Sequence, residues 1–301
     1  DRLRSRGLGD VYKRQVFHRL GALLASGAVD GQGPSGLSKS LVDNYLNADG
    51  TFINPKDEKY KDFNEMFKER DARLLVTVMH SGPDCKYRAS SPTNKPMNVR
   101  AYDATGTEDE MKEKNEDIVS PNLNGDGNSK SVTGFHIRLG IDTTYVDNES
   151  ETVVVLFRYA EGLLCYAEAA EELDLCTDDV LNKTLKPLRE RAGVTYVKPT
   201  KADPNFPFTG LSPVLQEIRR ERRSELALQG FRLDDLMRWA VAGTLKGQDG
   251  RGRGAYLGED GVLYKSFSPK GRESLKLVLK DNDGWTCLLY TSPSPRDRSL
   301  S

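Results

Sequence analysis

The clearest periodic pattern of apolar residues lies in the second half of the chain. Between residues 153 and 173, apolar side chains recur at spacings of three and four, which predicts an amphipathic helix. The predicted inner stripe consists of Leu156, Tyr159, Leu163, Tyr166, Ala170 and Leu173. Thr177 is a suitable N-cap for a following helix, which would end at Arg191 because Gly193 favours termination. The short connection predicts that the two helices pack as neighbours.

A second helix pair is predicted between residues 212 and 245. Ser212 can cap the first helix and Pro213 suits its first turn. Gly230 separates this helix from a partner over residues 234–245. The inner face of the first helix contains Leu215, Ile218 and Leu226. Two helix pairs in series resemble a tetratricopeptide-type stack, although the usual repeat consensus is absent.

The same inner face contains a charged residue, Arg222, with Glu221 and Glu225 beside it. A charge that faces the interior has to be paired to be tolerated. The pattern therefore predicts that Glu221, Arg222 and Glu225 belong to a structural ion-pair network between helices. We prefer this interpretation to a catalytic role.

The first half of the chain has weaker patterns. Residues 38–46 and 57–70 have helical spacing, whereas the apolar, β-branched residues 74–79 and the alternating residues 132–145 favour strands. Residues 81–131 are rich in Ser, Pro, Asn, Gly and Asp, which is typical of a long loop excursion. The predicted fold class is therefore mainly α, with tetratricopeptide-like helix pairs at about 151–245, a loop-rich face and a few short strands.

Composition narrows the class of protein. The chain has 301 residues, 37% of them hydrophobic and 30% charged, and its formal net charge is -1. Residues 1–15 and 287–301 resemble translated sequencing-adapter sequence, and they carry net charges of +3 and +1. We therefore expect one domain over residues 16–286 with a net charge of -5, which makes nucleic acid an unsuitable partner. No stretch approaches the roughly 20 apolar residues that span a bilayer.

Motifs that could indicate chemistry are incomplete. Gly31, Gly33 and Gly36 match a dinucleotide fingerprint, but Pro34 interrupts it and no strand is predicted before it. The three histidines are scattered, and Cys85, Cys165 and Cys176 lack metal-site spacing. No catalytic residue, metal ligand or cofactor is predicted from these patterns.

One loop leaves a weak metal site open. Asn122, Asn124 and Asp126 resemble the start of a calcium loop. Such a loop normally closes with a bidentate Glu at its twelfth position, where this chain has Thr133. A solvated turn is therefore the preferred interpretation.

Tyrosines in the loop-rich half are the candidate ligand contacts. An exposed aromatic ring gives a sugar an apolar platform, while neighbouring polar groups supply directional hydrogen bonds. On this basis Tyr45, Tyr87 and Tyr102 are predicted ligand-binding residues. Packing residues in a half-buried position would have the same pattern, and this alternative stays open for each of them.

Several segments resemble the SusD/RagB family, in the order typical of that family. The signature helix is similar to residues 158–169 (RYAEGLLCYAEA), and the next is similar to residues 181–193 (LNKTLKPLRERAG). Residues 218–239 (IRRERRSELALQGFRLDDLMRW) resemble the third, with Gln229 where Glu is usual. Upstream, residues 41–50, 69–74 and 133–138 also fall in the family's order.

The resemblance implies a non-enzymatic, lipid-anchored protein at the outer membrane of Gram-negative bacteria. It would bind glycans or other nutrients and pass them to a TonB-dependent, SusC-like transporter. We expect the lipid anchor and its signal peptide to belong to an N-terminal part that is absent from this sequence. A peptide-binding member of the family, a helical-repeat scaffold and a glycan-processing enzyme are the alternatives.

Overall fold

The computed structural model describes residues 36–80, 97–98, 117–118, 133–135, 137–139, 155–241, 253–266, 272 and 283–287. Within these residues the chain is mainly helical, with a few short strands, as the sequence predicts. The α-helices are α1 (Lys39–Val42), α2 (Ala72–Thr77), α3 (Tyr159–Glu172), α4 (Asp178–Lys183), α5 (Leu185–Arg191), α6 (Pro213–Glu225), α7 (Phe231–Arg238) and α8 (Val262–Ser266). None of the described helices is long and apolar enough to cross a membrane.

The described strands form two separate pairs. Strands β1 (Met97–Asn98) and β2 (Asp117–Ile118) are parallel, and β3 (Arg253–Tyr256) and β4 (Trp285–Cys287) are antiparallel. The β3–β4 pair has an irregular register, with Arg253 opposite Cys287 and Tyr256 opposite Trp285. It brings Trp285 into the interior, although this residue lies close to the C-terminal end of the chain.

Local sequence accounts for the two predicted helix starts in the second half. The Thr177 side chain accepts a hydrogen bond from the Val180 amide at the start of α4. Ser212 caps α6 by accepting from the Leu215 amide at 3.0 Å, and Pro213 occupies the first turn. The second predicted helix is interrupted at Thr184, which separates α4 from α5.

The helices of the second half pack around α6. Its main helix partner is α3, and it also contacts α2 and α5. Leu164 of α3 is fully buried in this interface. The shared apolar cluster contains Ala160, Leu164, Leu181, Leu185, Leu188 and Leu226.

The predicted apolar stripe of α3 is wrong for most of its residues. Tyr159 and Tyr166 are 82% and 55% exposed, and Leu156 and Leu173 are exposed as well. The buried face consists mainly of small residues, namely Ala160, Ala167 and Ala170, together with Leu164 and Glu168. Small side chains allow two helices to approach closely, and this contact determined which face of α3 is buried.

Two predictions in the first half need correction. Residues 74–79 were expected to form a strand, yet most of them lie in α2 because Asp71 caps the helix by accepting from the Arg73 amide at 2.9 Å. Residues 57–70 form two 3₁₀ helices, Glu58–Lys61 and Glu65–Phe67, instead of one α-helix. Their aromatic and apolar residues are nevertheless buried, in a second cluster with α1, α2 and β3.

Candidate functional site

Helix α6 carries buried charges that are paired with several other segments. Glu221 is 1% exposed and lies between two arginines, Arg73 and Arg189. The Arg189 Nε lies 3.1 Å from Glu221 Oε2, and its Nη2 lies 2.6 Å from Glu217 Oε2. Burial opposes ionisation of Glu221, but Arg73 and Arg189 outweigh it and lower the pKa of this carboxyl below its ordinary value.

Glu225 has a comparable arrangement one helical turn later. Its side chain is 1% exposed and contacts Arg73, Arg158 and Arg191, with Arg73 Nη1 2.8 Å from Oε2. Each of these arginines comes from a segment outside α6. The carboxylates of α6 therefore fix the position of this helix relative to three other parts of the fold.

Arg222 has a different partner from the one that sequence proximity indicates. Its Nε lies 2.8 and 2.9 Å from the two carboxylate oxygens of Asp235 in α7, and its guanidinium stacks on Phe231. Glu221 and Glu225 lie with other arginines. Sequence alone could not assign these pairs, because side chains adjacent along a helix point in different directions.

The predicted ligand tyrosines occupy different situations. Tyr45 is fully buried, its hydroxyl is 2.9 Å from Thr77 Oγ1, and burial raises its pKa to about 12. It packs in the core and offers no exposed ring to a sugar, so the ligand-binding prediction for Tyr45 is not supported by its position. Tyr87 and Tyr102 lie outside the described residues, as does the loop with Asn122, Asn124 and Asp126.

A cavity of about 760 Å³ lies where the first half of the chain, α6 and the β3–β4 pair meet. Its lining includes Lys39 of α1, Arg220 and Arg223 of α6, and Trp285 of β4. Asn44 holds α1 and α6 together, because its Nδ2 donates to the Arg220 carbonyl at 3.0 Å and to Ser224 Oγ at 2.7 Å. The cavity is large enough for a small organic ligand.

Two aromatic rings form apolar parts of the cavity wall. The Trp285 ring packs edge-on against Tyr256 with 5.1 Å between centroids, and the Lys39 Nζ lies 4.5 Å from the Trp285 centroid. The Phe206 ring stacks with the guanidinium of Arg220 at 5.0 Å. Aromatic surface and charged donors therefore lie side by side within one cavity.

Asp43 presents an acceptor atom that has no donor. Its Oδ2 pairs with Lys39, whereas its Oδ1 is buried and accepts no hydrogen bond from the described residues. Burial raises the pKa of this carboxyl, and the nearby Lys39 only partly opposes the shift. A buried acceptor without a donor costs stability, so it is suited to a hydroxyl donor from a ligand.

The sequence patterns did not indicate this cavity. Asp43, Arg223 and Trp285 come from segments more than 60 residues apart along the chain, and none belongs to a motif that indicates ligand binding. One local signal is present in the sequence. The segment Arg219–Arg223 contains four arginines, which outnumber the three glutamates of the same helix. Among the described residues, no group of three or more His, Cys, Asp or Glu is arranged to hold a metal ion.

Solved structures of known proteins are similar to this chain. A SusD-like carbohydrate-binding protein from Bacteroides fragilis has 24% sequence identity and a TM-score of 0.50, and the match covers 83% of this chain and 42% of that one. A second SusD-like protein from Bacteroides fragilis has 22% identity and a TM-score of 0.45, with 68% of this chain and 36% of that one covered. No curated protein sequence matches the chain.

The present chain thus spans less than half the length of these solved structures. The decisive similarity is in the sequence, since the profile of the SusD family matches residues 10–283. This match covers far more than half of the chain. The chain therefore belongs to the SusD family.

Proposed function

We propose that the protein binds glycans at the cell surface without processing them and delivers them to a TonB-dependent, SusC-like transporter. In this proposal the full-length protein is held at the outer membrane by a lipid anchor. The family membership supports a role in nutrient capture. The observation that carries the proposal is the cavity, in which aromatic rings, charged side chains and one buried acceptor without a donor lie together.

The chemistry of a sugar fits this cavity. A pyranose ring has apolar C–H faces and hydroxyl groups at its edges. Trp285 and Phe206 supply the apolar surface, and the free Oδ1 of Asp43 can accept from a hydroxyl. Catalysis by two carboxylates is a less suitable interpretation of the same cavity, because Asp43 and Asp203 are each engaged by a cation, Lys39 and Arg220.

Isothermal titration calorimetry of the full-length protein against a panel of neutral and acidic polysaccharides tests the binding step. We expect saturable binding of at least one glycan and no release of reducing ends. Release of reducing sugar would show an enzyme instead. Binding of peptides but not glycans, or of neither, would favour the peptide-binding or scaffold alternatives.

A matched pair of variants tests whether binding occurs in this cavity. Asp43→Asn keeps the shape of the side chain but removes the acceptor at one oxygen, and we expect it to weaken glycan binding. Asp179→Asn alters an exposed carboxylate of α4 that does not line the cavity, and serves as the control. Equal affinity of the two variants would place the glycan elsewhere.

The delivery step needs a separate test. A tagged full-length protein should co-purify with a TonB-dependent transporter from detergent-solubilised outer membranes of its native host. A gene for such a transporter beside the gene for this protein is the corresponding genomic expectation. Recovery of the tagged protein from the soluble fraction alone would contradict the proposed location.

A further inference from the structure

The cavity lining has a charge that differs from the charge of the whole chain. Its described residues include six lysines or arginines and three aspartates, which gives +3 when all are ionised. The complete chain has a formal net charge of -1. The positive charge is therefore concentrated in the cavity and is not a general property of the protein.

Four of the six cations already have a carboxylate partner. Lys39 pairs with Asp43, and Arg220 pairs with Asp203 at 2.5 Å and with Glu217 at 2.8 Å. Two further pairs, Lys61–Glu58 and Arg253–Asp283, have separations of 2.8 and 2.9 Å. Arg223 and Lys56 have no such partner among the residues that the structure describes. Lys56 is exposed, so water satisfies it, whereas Arg223 is half-buried.

Arg223 is an exception among the arginines of α6. Its Nη2 donates to Ser40 Oγ at 2.8 Å, but no carboxylate of the described residues lies within 4.0 Å of its guanidinium. Arg219, Arg220 and Arg222 each pair with an acidic side chain. Burial, together with the positive charges of Arg232 and Arg220, outweighs the opposing effects of Tyr45 and Asp43 and lowers the pKa of Arg223 to about 9. The group is therefore still cationic at neutral pH.

A half-buried guanidinium that has no carboxylate of the described residues within ion-pair distance favours the binding of an anion. Arginine presents a planar fork of N–H donors that matches a carboxylate or a sulfate group, and such charge-assisted bonds are stronger than neutral ones. We propose that the cavity selects glycans that carry an anionic substituent, a carboxylate or a sulfate ester, and that Arg223 binds this group. The proposal rests on the proposed function, because it assumes that the ligand is a glycan.

The other polar groups of the cavity are compatible with such a ligand. Lys56 adds a second positive charge at an exposed position of the lining. The charge of Asp43 is matched by Lys39, and its buried Oδ1 has no donor among the described residues, so a sugar hydroxyl that reached it would be a favourable partner. Trp285 and Phe206 provide apolar surface for the ring. An anionic sugar would thus meet a cation, an acceptor and an aromatic wall.

Paired ligands that differ only in charge provide the direct test. The first pair is an oligogalacturonide and its methyl ester, and the second is a sulfated carrageenan oligosaccharide and its desulfated form. We expect the full-length protein to bind the anionic member of at least one pair at least tenfold more tightly, and added salt should reduce this difference. Equal affinity for both members of every pair that binds would overturn the proposal.

Variants identify the residue that binds the anion. Arg223→Gln should weaken binding of the acidic ligand about tenfold or more, and Arg223→Lys should retain part of the affinity, because the charge remains but the fork is lost. Lys56→Gln should have a smaller effect of the same sign. Lys186→Gln on the surface of α5 is the control and should leave the affinity unchanged. An unchanged affinity in Arg223→Gln would exclude this residue as the anion's partner.

Two further outcomes separate this proposal from the proposed function. Since no carboxylate of the described residues lies within ion-pair distance of Arg223, Arg223→Gln should fold and should keep the melting temperature of the unmodified protein. If the protein binds only neutral glycans, the preference for acidic ligands is wrong but glycan binding stands. If it binds no glycan of either kind, both proposals are wrong.

Discussion

Arg189 and Glu217 are paired inside the protein, with 2.6 Å between Nη2 and Oε2 and with side chains that are 1% and 2% exposed. The pair joins α5 to α6, and Arg189 also contacts Glu221. Replacement of one partner of a buried ion pair leaves the other charge without compensation, which costs about 3–5 kcal/mol.

We therefore expect Arg189→Ala to lower the free energy of unfolding by about 3 kcal/mol, measured by urea denaturation. Lys183→Ala removes a lysine whose pair with Asp179 is exposed on both sides, and its denaturation midpoint should not change. A midpoint for Arg189→Ala equal to that of Lys183→Ala would contradict a stabilising role of the buried pair.

Arg222→Ala should also destabilise the protein, but less than Arg189→Ala. Its partner Asp235 is buried and keeps a second cation, because Arg238 Nε lies 3.0 Å from Asp235 Oδ1. We expect a loss of roughly 2 kcal/mol, below the range for a buried pair whose remaining charge keeps no second partner. In the double variant Arg222→Ala/Arg238→Ala the loss should exceed the sum of the single losses, and simple additivity would show that Arg238 does not compensate.

The free energy of unfolding should fall at acidic pH because Glu221 becomes protonated. The pKa of this carboxyl lies below its ordinary value of 4.5, so the unfolded chain binds the proton first. The stabilisation by ionised Glu221 is present above about pH 4.5 and is lost as the pH falls through the folded-state pKa. Between about pH 5 and pH 3, the unmodified protein should therefore lose stability relative to Glu221→Gln.

Asp43 should show the opposite dependence on pH and is the control for this experiment. Its pKa is raised above the ordinary value of 3.8, so its contribution to stability is fully present below about 3.8 and is lost as the pH rises through the folded-state pKa. On acidification the unmodified protein should gain stability relative to Asp43→Asn. If the stability difference from Glu221→Gln and the stability difference from Asp43→Asn changed with pH in the same direction, the directions assigned to the two pKa shifts would be contradicted.

Replacement of two glycines by alanine should change the stability of the protein in opposite directions. Gly50 has φ +83°, and a Cβ there would overlap the Thr195 carbonyl oxygen, so Gly50→Ala should cost at least about 1–2 kcal/mol. Gly162 lies within α3, where a Cβ would have no neighbour within 4 Å. Gly162→Ala should stabilise the protein by about 0.5–1 kcal/mol, and thermal unfolding measures both changes.

The orientation of α3 can be tested with one buried and one exposed residue. Leu164 is fully buried, so Leu164→Ala should cost about 2–5 kcal/mol. Tyr166, in the predicted stripe, is 55% exposed, and Tyr166→Ala should cost well under 1 kcal/mol by comparison. A larger loss of stability for Tyr166→Ala than for Leu164→Ala would instead support the orientation of α3 that sequence periodicity predicts.

The sequence predicted the helices of the second half because their ends are local features. Caps such as Ser212 act on amides within three residues. It did not predict which face of α3 is buried, since that depends on how closely α6 approaches. The sequence also did not predict the partners of Arg222 or the cavity at Arg223, because both depend on contacts between segments that are distant along the chain.

The ion pairs of α6 also have a consequence for how the chain folds. The partners Arg73 and Glu221 are separated by 148 positions, and Arg73 and Glu225 by 152. These ion pairs can form only after distant segments of the chain have come together. The entropy that is lost when such long loops close is therefore not offset by the ion pairs until closure is complete. We expect the docking of α6 to be a late and slow step of folding, governed by topology more than by the helical propensity of its own sequence.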